Sequence, residues 1–337
     1  MKTDFLEEQG LPPESDLLEE YDSEETVERI ASALAAAGHD PVKLGGGRKF
    51  LEQALAASRP PRTIDLVFNI AEGRNSRCRE AHVPAACEML GIPYTHSDPL
   101  TLALSLDKPL ANRVVASYGI PTAPHVCVEH LADLDSLPLP PFPLIAKPAC
   151  EGSSMGIRRN SRCENRGELQ ACVASLLAHY AGPVIVERFL TGIEATVGIV
   201  GAGSEARVLG VMEIAPCKTA SDRFVYSLEV KRDYLREVVY HVPPRLPAAV
   251  NDAIARTGLG AYRAIGCRDV GRVDVRLDAE GIPCFIEVNP LPGLNPVSSD
   301  LPILAGRLGI SYETLIATIV EKAIARQSPV PAASESP

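Results

Sequence analysis

The segment from Arg268 to Pro296, RDVGRVDVRLDAEGIPCFIEVNPLPGLNP, constrains the fold more than any other part of the chain. Two runs of alternating apolar residues, Val270 to Leu277 and Cys284 to Val288, flank the polar Asp278-Ala279-Glu280-Gly281, so the spacing predicts antiparallel strands joined at a glycine turn. Strand side chains repeat every second residue. Arg272 and Asp274 therefore share one face of the first strand, and Glu287 and Asn289 share one face of the second. Pairing gathers two carboxylates and an amide oxygen, hard donors of the kind that hold Mg²⁺. The alternative is a solvated hairpin face on which Arg272 pairs with an acid.

A chain of 337 residues outgrows a typical single core and predicts two or three packed subdomains. The formal net charge of −10 argues against nucleic acid or an anionic membrane as partner, since either favours a basic surface. No apolar run reaches the roughly eighteen residues needed to span a bilayer, and the acidic N-terminus has no secretory pattern. Nine cysteines without a C-x-x-C pair read as reduced thiols, which predicts a cytoplasmic protein.

Taken in order, residues 1–22 form an acidic, proline-containing leader expected to be loose. A helix follows, with Asp22 as its cap, Glu25 in capping-box spacing and Gly38 as its stop. Strand Val42 to Leu44, helix Lys49 to Ala57, strand Ile64 to Ile70 and helix Glu80 to Leu90 then alternate, which predicts a small open parallel sheet. Glu72 and Arg79 lie just beyond a predicted strand end, where ligand loops of such sheets gather; they suit an amino acid's ammonium and carboxylate, or else belong to a solvated loop. Phe142 to Pro148 reads as a strand carrying Lys147, and Glu151 to Gly156 as a small loop whose N–H groups and hydroxyls, including Ser153 and Ser154, could wrap phosphate oxygens or simply turn a hairpin. Strand Val184 to Leu190 carries Glu187, Phe189 and Leu190, and Glu194 opens the next strand. The last elements are helices Pro247 to Ile265 and Tyr312 to Arg326, before a tail expected to be disordered.

Arg272-x-Asp274, Glu287-x-Asn289 and the following Pro292-Gly293 resemble the carboxy-terminal signature of ATP-grasp ligases of the D-alanine–D-alanine ligase family, and the likeness runs from about Asp22 to Arg326. The resemblance implies an α/β (α+β) ATP-grasp fold behind an open parallel βα domain, divided as 23–118, 119–190 and 191–327, with 328–337 as tail. It implies that Asp274, Glu287 and Asn289 bind two magnesium ions (or Mn²⁺) under ATP. Lys108, Lys147, Ser153 and Ser154 would then contact the nucleotide phosphates, Glu187, Phe189 and Leu190 the adenine, Glu194 the ribose and Lys231 the γ-phosphate. Arg272 and the backbone at Gly293 would stabilise an oxyanion, Ser153 would help hold the first substrate, and Ser298 and Ser299 the second substrate's carboxylate.

Three departures from the family accompany the likeness. No apolar strand precedes Asp22, the His-Gly and Gly-Glu-Asp patterns near Glu72 are absent, and Arg232 stands where the ligases carry a tyrosine after the loop lysine. An arginine there would suit an acceptor with an extra anionic group, or else turns to solvent. The resemblance thus implies an ADP-forming carboxylate–amine ligase of amino acids, dimeric as family members commonly are. Its alternatives are an authentic D-alanine–D-alanine ligase of peptidoglycan synthesis and a non-catalytic ATP-binding regulatory module.

Overall fold

The computed structural model describes residues 16, 19–74 and 76–327. The disordered tail expected at 328–337, and most of the expected loose leader, lie outside the described residues.

The hairpin forms as its alternation dictates. β8 (Val270–Leu277) and β9 (Pro283–Asn289) pair antiparallel, with Arg272 opposite Asn289 and Asp274 opposite Glu287, and the register shifts once after Asp274. The Asp278 carboxylate closes the turn by accepting from the N–H groups of Glu280 and Ile282 at 3.0 and 2.7 Å, and Gly281 takes φ +79°.

β5 (Glu194–Val200), β6 (Arg207–Pro216) and β7 (Val238–His241) extend the hairpin into a five-stranded antiparallel sheet of order β7-β6-β5-β8-β9. One face takes Val197, Ile199, Val273 and Val275, which pack under α9 (Ala248–Ile265) against Ile254, Ala261 and Tyr262. Gly258 lets α9 come close: a Cβ there would sit 2.8 Å from the Val197 side chain. The other face carries Val200 and Val270 against α10 (Asp300–Arg307), α11 (Tyr312–Ala325) and α1 (Glu24–Ala36), through Leu301, Leu315, Ile316, Ile319 and Ile30. Each such aliphatic chain contributes about 1.5–3 kcal/mol on full burial. Arg272, Asp274 and Thr196 alternate with the α9-facing residues and so lie on the α10 side of the sheet.

A second antiparallel sheet, of order β1-β4-β2-β3, is built from β1 (His125–Val128), β2 (Leu144–Pro148), β3 (Arg162–Cys163) and β4 (Val184–Arg188). α6 (Arg166–His179) covers one face with Leu169, Val173 and Leu176 over Leu144, Ala146, Val184 and Val186. Lys147 and Glu187 consequently point to the opposite face.

The N-terminal region departs from expectation. No strand forms at Val42 to Leu44, and Ile64 to Ile70 makes a single parallel bridge, Val67 with Tyr94, where the Val67 N–H reaches Pro93 O at 2.8 Å and the Thr95 N–H reaches Val67 O at 2.9 Å. With no first strand beside it among the described residues, the segment satisfies its backbone by other means: the Asn69 N–H donates to Thr95 Oγ1, and the Ala71 N–H to Asn69 Oδ1. α2 (Gly47–Ser58) and α3 (His82–Leu90) pack on this bridge through Phe50, Ala54 and Cys87; α4 (Pro99–Leu106) follows, and α5 (Lys108–Ser117) sends Ala111 and Val115 into the core shared with α9.

Smaller corrections are local. Ser23, not Asp22, caps α1, its hydroxyl accepting from the Thr26 N–H at 3.2 Å. Pro247 precedes the first turn of α9 rather than forming it. The segment around Lys231, read as a loop, coils into α7 (Leu228–Arg232) and α8 (Tyr234–Glu237) because Ser227 caps it and Leu228 and Val230 are buried.

Candidate active site

The candidate site has β8 and β9 as its floor, with Lys147 of the small sheet near enough to act on the charge of Glu287. Arg272 is its best-tethered residue. Its guanidinium donates to Asp300 Oδ2 at 2.6 Å and to Asp274 Oδ2 at 2.9 Å, and lies 4.0 Å from Glu287. Among the described residues its buried Nε has no hydrogen-bond partner. Asp274 also accepts from Thr196 Oγ1 on β5 and from Asn289 Nδ2 at 3.4 Å.

Charges on the two carboxylates diverge. Burial pushes the Asp274 carboxyl up to about 7, against the pull of Arg272. Burial is also the largest influence on Glu287, yet Lys108, Lys147 and Arg272 together outweigh it and hold its carboxyl below the ordinary value. Lys108 Nζ stands 3.7 Å from Glu287 and also donates to the Glu151 carbonyl.

Lys147 and Glu187 form a buried pair at 2.7 Å, and Asn112 Nδ2 donates to the same Glu187 carboxylate at 3.1 Å. Burial alone would depress the lysine, but Glu187, with Glu287 behind it, raises its pKa above the ordinary value. Glu194 meets Arg276 at 3.2 Å, and the Arg276 guanidinium stacks 4.6 Å from the centre of the buried Phe189 ring. Leu190 is buried beside Phe189.

Two segments close over this floor and join each other. In the glycine-rich loop Ser153, Ser154 and Gly156 all take positive φ, +49°, +59° and +73°. Ser154 Oγ donates to the Tyr226 carbonyl at 3.2 Å, and the Leu228 N–H donates to Ile157 O at 3.0 Å. Lys231 follows on α7, its pKa lowered by burial and by the nearby Arg272 charge.

The end of the acidic leader is part of the site, which its composition did not suggest. Glu20 accepts from Arg79 at 2.6 and 2.8 Å and from the Gly152 N–H at 2.7 Å, while Arg79 also donates to the Cys150 carbonyl at 2.8 Å. Asp16 accepts from Arg158 at 2.7 Å, and Glu19 from Arg232 at 2.7 Å. Arg79 and Arg232 thus both face carboxylates of the chain itself. Glu72 lies nearby, its carboxyl raised well above the ordinary range by burial and by Glu80 and Glu20.

The turn after β9 is set by Asn295, whose carboxamide oxygen accepts from the N–H groups of Val297 and Ser298, both at 3.0 Å. Ser299 Oγ accepts from the Asn295 N–H at 3.1 Å and packs against Gly293, where a Cβ would meet it at 2.8 Å. Ser298 is exposed. Asp300, Tyr240 and Tyr226, absent from the sequence reading, complete the site: Tyr240 OH donates to Asp300 Oδ1 at 3.0 Å and lies 3.2 Å from Tyr226 OH. An acid opening a helix gives no such signal in sequence.

Among the described residues no three acidic, histidine or cysteine side chains converge as an all-protein metal cage. Asp274, Glu287 and Asn289 nevertheless fit Mg²⁺, which commonly takes one or two carboxylates and fills its other positions with waters and phosphate oxygens.

Comparison with known proteins agrees with this geometry. Residues 114–321 match the family model described as D-ala D-ala ligase C-terminus. The D-alanine–D-alanine ligase of Bordetella petrii is 33% identical over 295 residues, covering 87% of this chain and 85% of that protein. That of Gluconobacter oxydans is 35% identical over 305 residues, covering 89% and 93%. The crystal structure of D-alanine–D-alanine ligase from Bacillus anthracis complexed with ATP superposes with a TM-score of 0.69 at 22% identity, over 91% of this chain and 95% of that one, which establishes the ATP-grasp fold.

Proposed function

The chain belongs to the D-alanine–D-alanine ligase family of ATP-dependent, ADP-forming ligases, and from that premise we propose that it joins the carboxylate of one amino acid to the amine of another through an acyl phosphate. The observation that carries this reading is the convergence of Lys108, Lys147, Lys231 and Arg272 on Glu287, with Asp274 paired to the same Arg272. Cations and carboxylates interleaved in a closed cleft suit a phosphate chain with its counter-ion.

The first carboxylate attacks the γ-phosphorus and ADP leaves; the amine then displaces phosphate. Bound Mg²⁺, two ions in this reading and replaceable by Mn²⁺, supplies charge neutralisation on the phosphates and would be held by Asp274, Glu287 and Asn289. Lys147 and Lys231 add fixed positive charge, and Lys147 is presented in one orientation by its pairing with Glu187. The resemblance assigns adenine to Phe189 and Leu190 and ribose to Glu194. The Arg272 Nε–H, with the Gly293 backbone, is the donor for the oxyanion. The linked loops at 151–157 and 224–232 exclude water, which would otherwise hydrolyse the acyl phosphate.

The substrates differ from a D-alanine pair in this reading, because Arg232 stands in the acceptor loop and Glu20 engages Arg79. The second reading, an authentic D-alanine–D-alanine ligase, is favoured by the relatives at 33–35% identity and by Ser298 and Ser299 in the turn after β9. The nine free cysteines support a reducing compartment such as the cytoplasm. Phosphate release from MgATP with D- and L-amino acids, singly and in pairs, with mass detection of product, tests both. Release with a pair other than D-alanine is expected; the D-alanyl dipeptide alone would establish the second reading, and no turnover with any pair would sink both.

A further inference from the structure

The three side chains missing from the sequence reading form one line. Tyr240 has a single hydroxyl proton and gives it to Asp300 Oδ1, so the 3.2 Å contact between the two phenols is a donation from Tyr226 to Tyr240. Tyr226 belongs to the closing segment, and its carbonyl accepts from Ser154 of the glycine-rich loop. Asp300 in turn accepts from Arg272 at 2.6 Å. Hydrogen bonds therefore link the Tyr226 phenol, Tyr240, Asp300 and the guanidinium, and the Tyr226 backbone joins that line to the glycine-rich loop.

Asp300 suits this post. It is the first residue of α10, where the helix N-terminus favours a negative charge, and it is 9% exposed. Arg272 is otherwise drawn to Asp274, one of the carboxylates that would hold the metal, and to Glu287. Among the described residues Asp300 is its one close carboxylate outside that set. A planar guanidinium gripped at one Nη by Asp300 has its remaining donors fixed in direction.

We propose that Asp300 is a positioning residue: it holds Arg272 at the reacting oxygen independently of Asp274, and Tyr240 and Tyr226 make that hold tightest when the two loops are joined. The proposal rests on the ligase reading and on Arg272 touching the reacting atoms.

The test uses the full chain and the substrate pair identified by phosphate release. In D300N, kcat falls about 10- to 100-fold while KM for ATP and ADP affinity by equilibrium binding stay within about threefold, since misdirecting a donor by about 1 Å costs that much without removing ground-state contacts. D300E recovers part of kcat, and Y240F loses less than D300N. A D300N enzyme with kcat within about twofold of wild type would overturn the proposal, as would a loss of ADP affinity as large as the loss of kcat. A crystal structure of D300N supplies a readout that needs no turnover. Arg272 is expected to swing onto Asp274 and Glu287; a guanidinium that keeps its place overturns the positioning role even if wild type ligates nothing, whereas wild-type inactivity alone counts against the ligase reading.

Discussion

At the scale of single residues, the Lys147–Glu187 pair shows how the site ties function to stability. Both side chains are about 5% exposed and 2.7 Å apart, so each is tolerable in the interior only because of the other. Replacing Lys147 by Met leaves a buried carboxylate with Asn112 alone for company, and is expected to lower unfolding stability by about 3–5 kcal/mol in urea titrations. Adding Glu187→Gln to that variant should recover most of the loss. A single variant as stable as wild type would mean the carboxylate finds water or another cation. If Lys147 meets phosphate as proposed, nucleotide affinity should stay low in both variants, because that lysine is missing from each.

At the scale of elements, α9 lies on the large sheet only because Gly258 has no side chain. Gly258→Ala places a methyl 2.8 Å from the Val197 Cβ and Cγ2, and overpacking of that kind costs about 1–3 kcal/mol. Combining it with Val197→Ala should return part of that stability in thermal melts; additive losses would show that α9 is not held by this contact. The hairpin at the site was legible in sequence because alternation and a glycine turn are local signals, and β8 was found at its observed limits. Lys147, Lys231 and the glycine-rich loop were singled out through the family resemblance, since their spacing alone is a weak signal. The parallel sheet was misread because alternation at Ile64 to Ile70 says nothing about whether a neighbour exists to pair with it. Asp300 and Glu20 were missed for a related reason: each acquires its role from a partner distant in the chain, Arg272 in one case and Arg79 with Gly152 in the other.

At the scale of the whole molecule, stability should vary with pH through His96. This residue is fully buried against Phe68, its Nε2 has no hydrogen-bond partner among the described residues, and burial, aided by Arg326, lowers its pKa to about 3. The unfolded chain binds a proton near pH 6.5 that the folded chain refuses, so His96 stabilises the fold above that pH and the contribution is lost as pH falls toward 3. Between pH 6.5 and pH 5 this one group should reduce unfolding free energy with a slope approaching about 1.4 kcal/mol per pH unit. His96→Asn, which accepts the positive φ of 71°, should flatten that slope; an unchanged slope would assign the acid sensitivity to other groups. The leader spans the molecule in another sense. Glu20 ties the end of the leader to the amide of Gly152 and to Arg79, so residue 20 is held against the glycine-rich loop. Trimming the chain past Glu20 removes both contacts at once, so kinetic constants from a trimmed chain and from the full chain should not be pooled.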